Sequence, residues 1–143
     1  MDKQESPSAP QKPRAMPEAV MEWMEPKEIS EIMHVEELRN EVIKAKGLLD
    51  PVPNIQALNW MTHYFARNSE RLGKYEAMQR EHFADLLIED DKMTIGKAEA
   101  LSKGSDFGKR RAFYEHLCAG YLEMINTLKK TQEYWQKEAK NQF

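Results

Sequence analysis

Residues 93–117 read MTIGKAEALSKGSDFGKRRAFYEHL. Three glycines and three Gly/Lys junctions stand here beside a run of basic residues. The stretch is either a phosphate-gripping loop or a corner between helices, and the fold turns on which. A phosphate-binding loop needs four residues between its first glycine and the Gly-Lys pair, then Ser or Thr, all after a buried strand. GSDFGKR has three residues between, an arginine after, and no strand-like run before it. The corner reading fits better. Thr94 stands where an N-cap belongs, Ile95 to Lys103 reads as a short helix, and Gly104 stops it. Asp106 is then the expected cap of a return helix.

Working outward, the return segment carries Phe107, Tyr114, Leu117, Cys118, Tyr121, Met124, Ile125 and Leu128 at helical spacing, ending at Trp135 and Ala139. This stripe is wider than a two-helix seam, so it predicts contact with more than one neighbour. Gly120 interrupts it, and a close backbone approach would account for that. On the other side of the corner, no proline interrupts residues 55–89. A heptad reading there puts Leu58, Phe65, Leu72, Gln79 and Leu86 on one core line and Met61, Asn68, Tyr75 and His82 on the other. Asn54 is the expected cap.

Two helices of about 35 residues, each about 50 Å long, joined by a short link predict an antiparallel hairpin. A symmetric turn at 97–98 would set Trp60 level with Trp135 and Leu72 with Met124. Upstream, Ile29, Ile32, Val35, Leu38, Val42 and Ala45 recur at three and four. They predict a helix at 27–46 that opens at Pro26 and closes at Gly47. LLDPVPN then breaks the pattern. Residues 1–25, with four prolines, read as a disordered tail. The tail ends in Val20, Met21, Trp23 and Met24, which act either as a staple on the core or as a partner-docking peptide.

The fold expected is therefore all-α. It consists of a long antiparallel, coiled-coil-like hairpin with one more packed helix and a disordered N-terminal tail. The domain spans 26–143, with helices at about 27–46, 55–89, 95–103 and 106–140.

Composition narrows function. The chain has 143 residues, 31% charged and 41% apolar, with a formal charge of −3. From Lys97 onward nine basic residues face six acids, so the C-terminal third is +3 and the rest −6. That is a weaker basic footprint than a duplex-DNA binder carries. A lone cysteine, Cys118, excludes an internal disulfide and predicts a buried small hydrophobe. No apolar run approaches the ~18 residues of a membrane span. The opening MDKQESPSAP lacks a signal-peptide core. A cytoplasmic, non-membrane setting is expected.

Chemistry-bearing patterns are sparse. Glu31 and His34 form one Glu-x-x-His pair, but bundle metal sites repeat that pair on a second helix. His63, His82 and His116 do not repeat it. No serine sits in a nucleophile elbow. Acids such as Glu70 and Glu133 precede Lys74 and Lys137 by four, the pattern of a solvated helix face. No catalytic residue, metal or cofactor is expected.

The cadence of residues 66–140 carries a resemblance. ARNSERLGKYEAMQREHFADLLIEDD is followed by the corner and then by YEHLCAGYLEMINTLKKTQEYWQKEAK. With Thr94, Ala98, Glu99, Ala100, Lys103, Ser105 and the Tyr/Leu ladder of the return helix, it resembles small helical-hairpin proteins of bacteriophages and prophages. Those are encoded beside single-strand annealing recombinases and single-strand-binding proteins. The resemblance implies an accessory role in phage DNA recombination or replication.

The reading adopted is a non-enzymatic interaction protein that engages a protein partner by helix-face recognition. Two alternatives stand beside it. One is direct nucleic-acid binding through Lys109, Arg110, Arg111, Lys129 and Lys130. The other is an inhibitor of a host-defence or DNA-binding protein that mimics DNA with an acidic surface of Glu36, Glu37, Glu89, Asp90 and Asp91. The wide apolar stripe also allows a homo-oligomer.

Overall fold

A computed structural model describes residues 22–142. Among them are four helices and no strand: α1 (Pro26–Lys44), α2 (Pro51–Glu89), α3 (Ile95–Gly104) and α4 (Asp106–Asn141). None is long and apolar enough to cross a membrane. The expected all-α hairpin with a packed additional helix is what the chain forms.

α1 opens with Pro26 in its first turn, where a missing N–H costs nothing. It closes with paired bonds, Lys46 N–H to the Ile43 carbonyl (3.0 Å) and Gly47 N–H to the Val42 carbonyl (2.9 Å). Lys46 and Gly47 both have positive φ, 53° and 84°. The expected glycine cap therefore sits one residue later in the motif, and Lys46 makes the first left-handed turn.

α2 begins four residues earlier than expected. Asp50 is its N-cap, and Pro51 and Pro53 occupy its first turn. The prolines that suggested a break instead start the helix, because first-turn N–H groups have no intrahelical acceptor. Asn54 is consequently not a cap. It is fully buried, and its amide donates to the Leu128 carbonyl of α4 (3.0 Å). The preceding loop is pinned by α4 as well. Thr131 Oγ1 donates to the Gly47 carbonyl (3.1 Å) and Trp135 Nε1 to the Leu49 carbonyl (2.7 Å).

α2 and α4 run antiparallel, but not in the symmetric register. Asn54 lies against Leu128, Ser69 against Cys118, and Tyr75 against Tyr114. Leu72 thus faces a point about two helical turns earlier on α4 than Met124. The reason is α3. Its small buried residues Ala98 and Ser102 let it lie closely along the end of α2. Ser102 Oγ donates to the Gln79 carbonyl (3.0 Å). The last ten or so residues of α2 are therefore flanked by α3, and α4 starts beside Gln79.

The α3–α4 corner is tight. Thr94 caps α3 by accepting from Lys97 N–H (3.2 Å). Ser105, not Asp106, caps α4 by accepting from Gly108 N–H (3.2 Å). Asp106 is the first residue of the helix. A Cβ at Gly108 would fall 2.4 Å from the carbonyl oxygens of Ser102 and Lys103, so only glycine fits. Gly120 is different. A Cβ there would meet only Arg39 Nη2 at 3.8 Å, an ordinary contact, so no close backbone approach explains it.

α1 runs antiparallel to α2, with Glu28 beside Arg71 and His34 beside Tyr64. It covers only the near half of the hairpin. The core there is Val35, Leu38, Leu49, Ala57, Met61, Tyr64, Tyr121, Met124, Ile125 and Leu128. The seam of α2 is consequently rotated from the heptad reading. Met61 and Asn68 lie in it as expected, but Ala57 and Tyr64 replace Leu58 and Phe65, which only flank it. Two neighbours, α4 and α1, pull the buried face between them.

Candidate functional site

The start of α4 carries Lys109, Arg110 and Arg111. Lys109 is exposed. The Arg110 guanidinium lies 4.9 Å over the Trp23 ring and 5.8 Å from that of Tyr75, a cation–π arrangement. Arg111 reaches Glu115 (3.5 Å) on its own helix and Glu76 (4.0 Å) and Gln79 (3.5 Å) on α2. Glu89 ends α2, and Asp90 and Asp91 follow it. Among the described residues they pair with none of these cations. The register shift explains this, because it places Glu76 opposite Arg111 and carries residues 89–91 past the start of α4. Lys129 and Lys130 are exposed and lie about 30 Å further along α4. The five basic residues do not form one patch.

Trp23 packs edge-on against Tyr75, Phe113 and Tyr114, with centroids 6.3, 5.7 and 5.8 Å away. Met24 is buried beside it. Trp23 and Met24 are thus part of the packed structure. Val20, Met21 and the rest of the expected tail lie outside the described residues. Beneath Trp23, Tyr75 and Tyr114 stack at 5.5 Å and 7°. Tyr114 Oη donates to Glu28 (2.7 Å), which also pairs with Arg71 (3.3 Å). Burial, then that hydrogen bond, pushes the Tyr114 phenol far up. This cluster anchors α1 to the hairpin.

The acidic residues also separate. Glu37 lies near Tyr64 and contributes to raising its pKa, after burial and Glu31. Glu89 is 25 residues beyond Tyr64 on α2, about 38 Å away. Glu36 and Glu37 therefore belong to a different end of the molecule from Glu89, Asp90 and Asp91. Cys118 is buried and its thiol is pushed up by burial, with Ser69 hydrogen bonding acting the other way. That is the environment of a packing cysteine.

Aliphatic groups are exposed at both ends of the hairpin, and at the α1–α2 loop they are Ile43, Leu48, Val52 and Ile55. α2 contributes five buried residues up to Asn68 and none from Ser69 to Glu89. Around the corner Ile88 is 77% exposed, Ile95 64% and Leu101 45%. A cleft of about 400 Å³ opens beside them, lined by Gln79, Phe83, Glu99, Ser102, Lys103 and Arg111 among others. Phe83 in its wall is half-buried, as are Leu86 and Leu87 further along α2. Of these apolar positions, the heptad reading places only Leu86 on a core line. That they stay uncovered follows from where α1 stops.

A second cleft of about 400 Å³ lies between α1 and α2. Trp60 stands in its wall, 47% exposed, stacked on buried Tyr64 at 5.5 Å and 22°. The His34 ring sits edge-on to Trp60 at 5.0 Å and to Tyr64 at 5.6 Å. Its Nδ1 hydrogen-bonds Tyr64 Oη at 2.5 Å. His63 lies edge-on to Trp60 at 6.3 Å. Lys27 and Arg67 line the same cleft. Glu31, the partner of His34 in the Glu-x-x-His pair, is buried and held by Arg67 (3.2 Å) and Arg71 (3.1 Å). Among the described residues no three His, Cys, Asp or Glu side chains gather as a metal site. Sequence reading passed over this cluster. Its signal was the run Trp60, His63, Tyr64 at i, i+3 and i+4, opposite a histidine on another helix.

Compared with protein families, curated proteins and solved structures, the chain matches none.

Proposed function

We propose that this chain is a non-enzymatic helical interaction protein whose recognition surface is the far end of the hairpin. The observation that carries the reading is the exposure of Ile88, Ile95 and Leu101 on an arm where α2 has no fully buried residue. Aliphatic groups exposed at the end of an arm offer apolar contact area to a partner. Helix faces of this kind are read by apolar anchors filling a partner's groove. Glu89, Asp90, Asp91 and Glu99 stand on the same corner, so the partner surface is apolar at its centre and basic at part of its rim. The resemblance to phage helical-hairpin proteins supports a partner in DNA recombination or replication machinery, in the cytoplasm. A second copy of the chain is the other occupant this surface fits.

The test is capture of the native partner from the source cell with wild-type chain and with an Ile88→Glu/Leu101→Glu variant. Both positions are exposed, so the variant keeps its helicity and melting behaviour. The reading expects a partner bound by wild type and lost by the variant. The same partner retained by the variant contradicts it. Light scattering on both proteins separates self-association from a foreign partner.

A further inference from the structure

We propose that the cleft between α1 and α2 binds one nucleotide unit, with its base on Trp60 and its phosphate at Lys27 and Arg67. The site is separate from the hairpin corner, and the inference does not rest on the protein-docking reading. Three features of the cleft select this chemistry.

The first is the indole of Trp60. It lies on Tyr64, yet remains 47% exposed at the cleft. A half-open aromatic face is a stacking platform for a planar ring, and it takes any base because every base has a π-face. Tyr64 and the edge of His34 hold the indole in place, so the platform is set before a ligand arrives.

The second is charge. Lys27, Arg67 and Glu31 are the charged residues lining the cleft. Glu31 is already committed to Arg67 and Arg71. Arg67 is half of that pairing, so the net positive charge of the cleft is that of Lys27, which favours an anion over an ammonium group. The third is the polar rim. His34, His63 and the Ser30 hydroxyl line the cleft and supply hydrogen-bonding groups of the kind that orient a heteroaromatic edge. The cleft is open to solvent, with a volume of about 400 Å³.

A base paired within a duplex cannot present its face to Trp60. The ligand is therefore a free nucleotide or an unpaired nucleotide of a single strand. The probes are dTMP, followed by chemical shifts of the full chain, and a fluorescein-labelled oligothymidylate, followed by anisotropy at low and moderate salt. A labelled duplex serves as the comparison. Binding of dTMP alone assigns the free nucleotide, and binding of both probes assigns the strand. Either outcome requires that Trp60→Ala weaken binding about tenfold or more. Trp60→Phe, which keeps a π-face, weakens it less than about threefold. Lys27→Gln lowers affinity and flattens the salt dependence. Circular dichroism confirms that each half-exposed substitution leaves the fold intact. Absence of saturation by either probe at low salt overturns the proposal. So does equal affinity for the duplex, or unchanged binding by Trp60→Ala.

Discussion

The two halves of the α2–α4 hairpin are built from similar residues and do opposite work. Near the α1–α2 loop, three helices enclose Met61, Tyr64, Tyr121 and Leu128, and polar side chains such as Asn54, Thr131 and Trp135 secure backbone carbonyls across elements. Beyond Arg71, the start of α1 and the Trp23–Met24 segment still cover Leu72 and Tyr75, and from there the same α2 helix continues with only α3 and α4 beside it. Its apolar residues Met78, Phe83, Leu86 and Leu87 are then half-buried. The difference lies in the number of neighbours, not in sequence character. A helix can carry one apolar pattern throughout and still be core for half its length and surface for the rest.

Two methionines on α2 test that contrast most strongly. Met61 has no exposed surface, while Met78 is half-buried. Met61→Ala is expected to cost about 3 kcal/mol in urea unfolding, and Met78→Ala less than about 1 kcal/mol. Equal losses would mean that the far arm is as much core as the near half. The corner that ends the far arm comes next. Gly108→Ala forces a methyl onto two backbone carbonyls and is expected to cost about 2 kcal/mol. A neutral result would show that α3 is not locked against α4. The smallest effect is a gain. Gly120→Ala adds a methyl where there is room, and helix propensity then favours the variant by up to about 1 kcal/mol. A loss in its thermal midpoint would reveal a contact the fold does not show.

Much of the architecture was legible in the sequence. The helical periods, the Thr94 cap and the corner at 93–106 follow from local chemistry, which acts within a few residues. Register and facing were not legible to the same degree. The hairpin was expected to turn symmetrically, and small residues at Ala98 and Ser102 instead let α3 occupy part of its length. The prolines at 51 and 53 looked like a break because their tolerance in a first turn depends on where the helix starts. Candidate sites suffered most. Lys109, Arg110 and Arg111 are adjacent in the chain, yet one is exposed, one lies on Trp23 and one meets Glu76. The Trp60 cleft needed His34 from another helix, which no local pattern supplies.

Native-state hydrogen exchange along α2 reads the division of labour most directly. Amides from Asn54 to Asn68 are expected to exchange only through global unfolding, with one shared free energy. Those from Glu76 to Glu89 are expected to exchange through local opening at a much lower free energy. Uniform protection along the whole helix would contradict the account, because the far arm would then be held as firmly as the core it extends from.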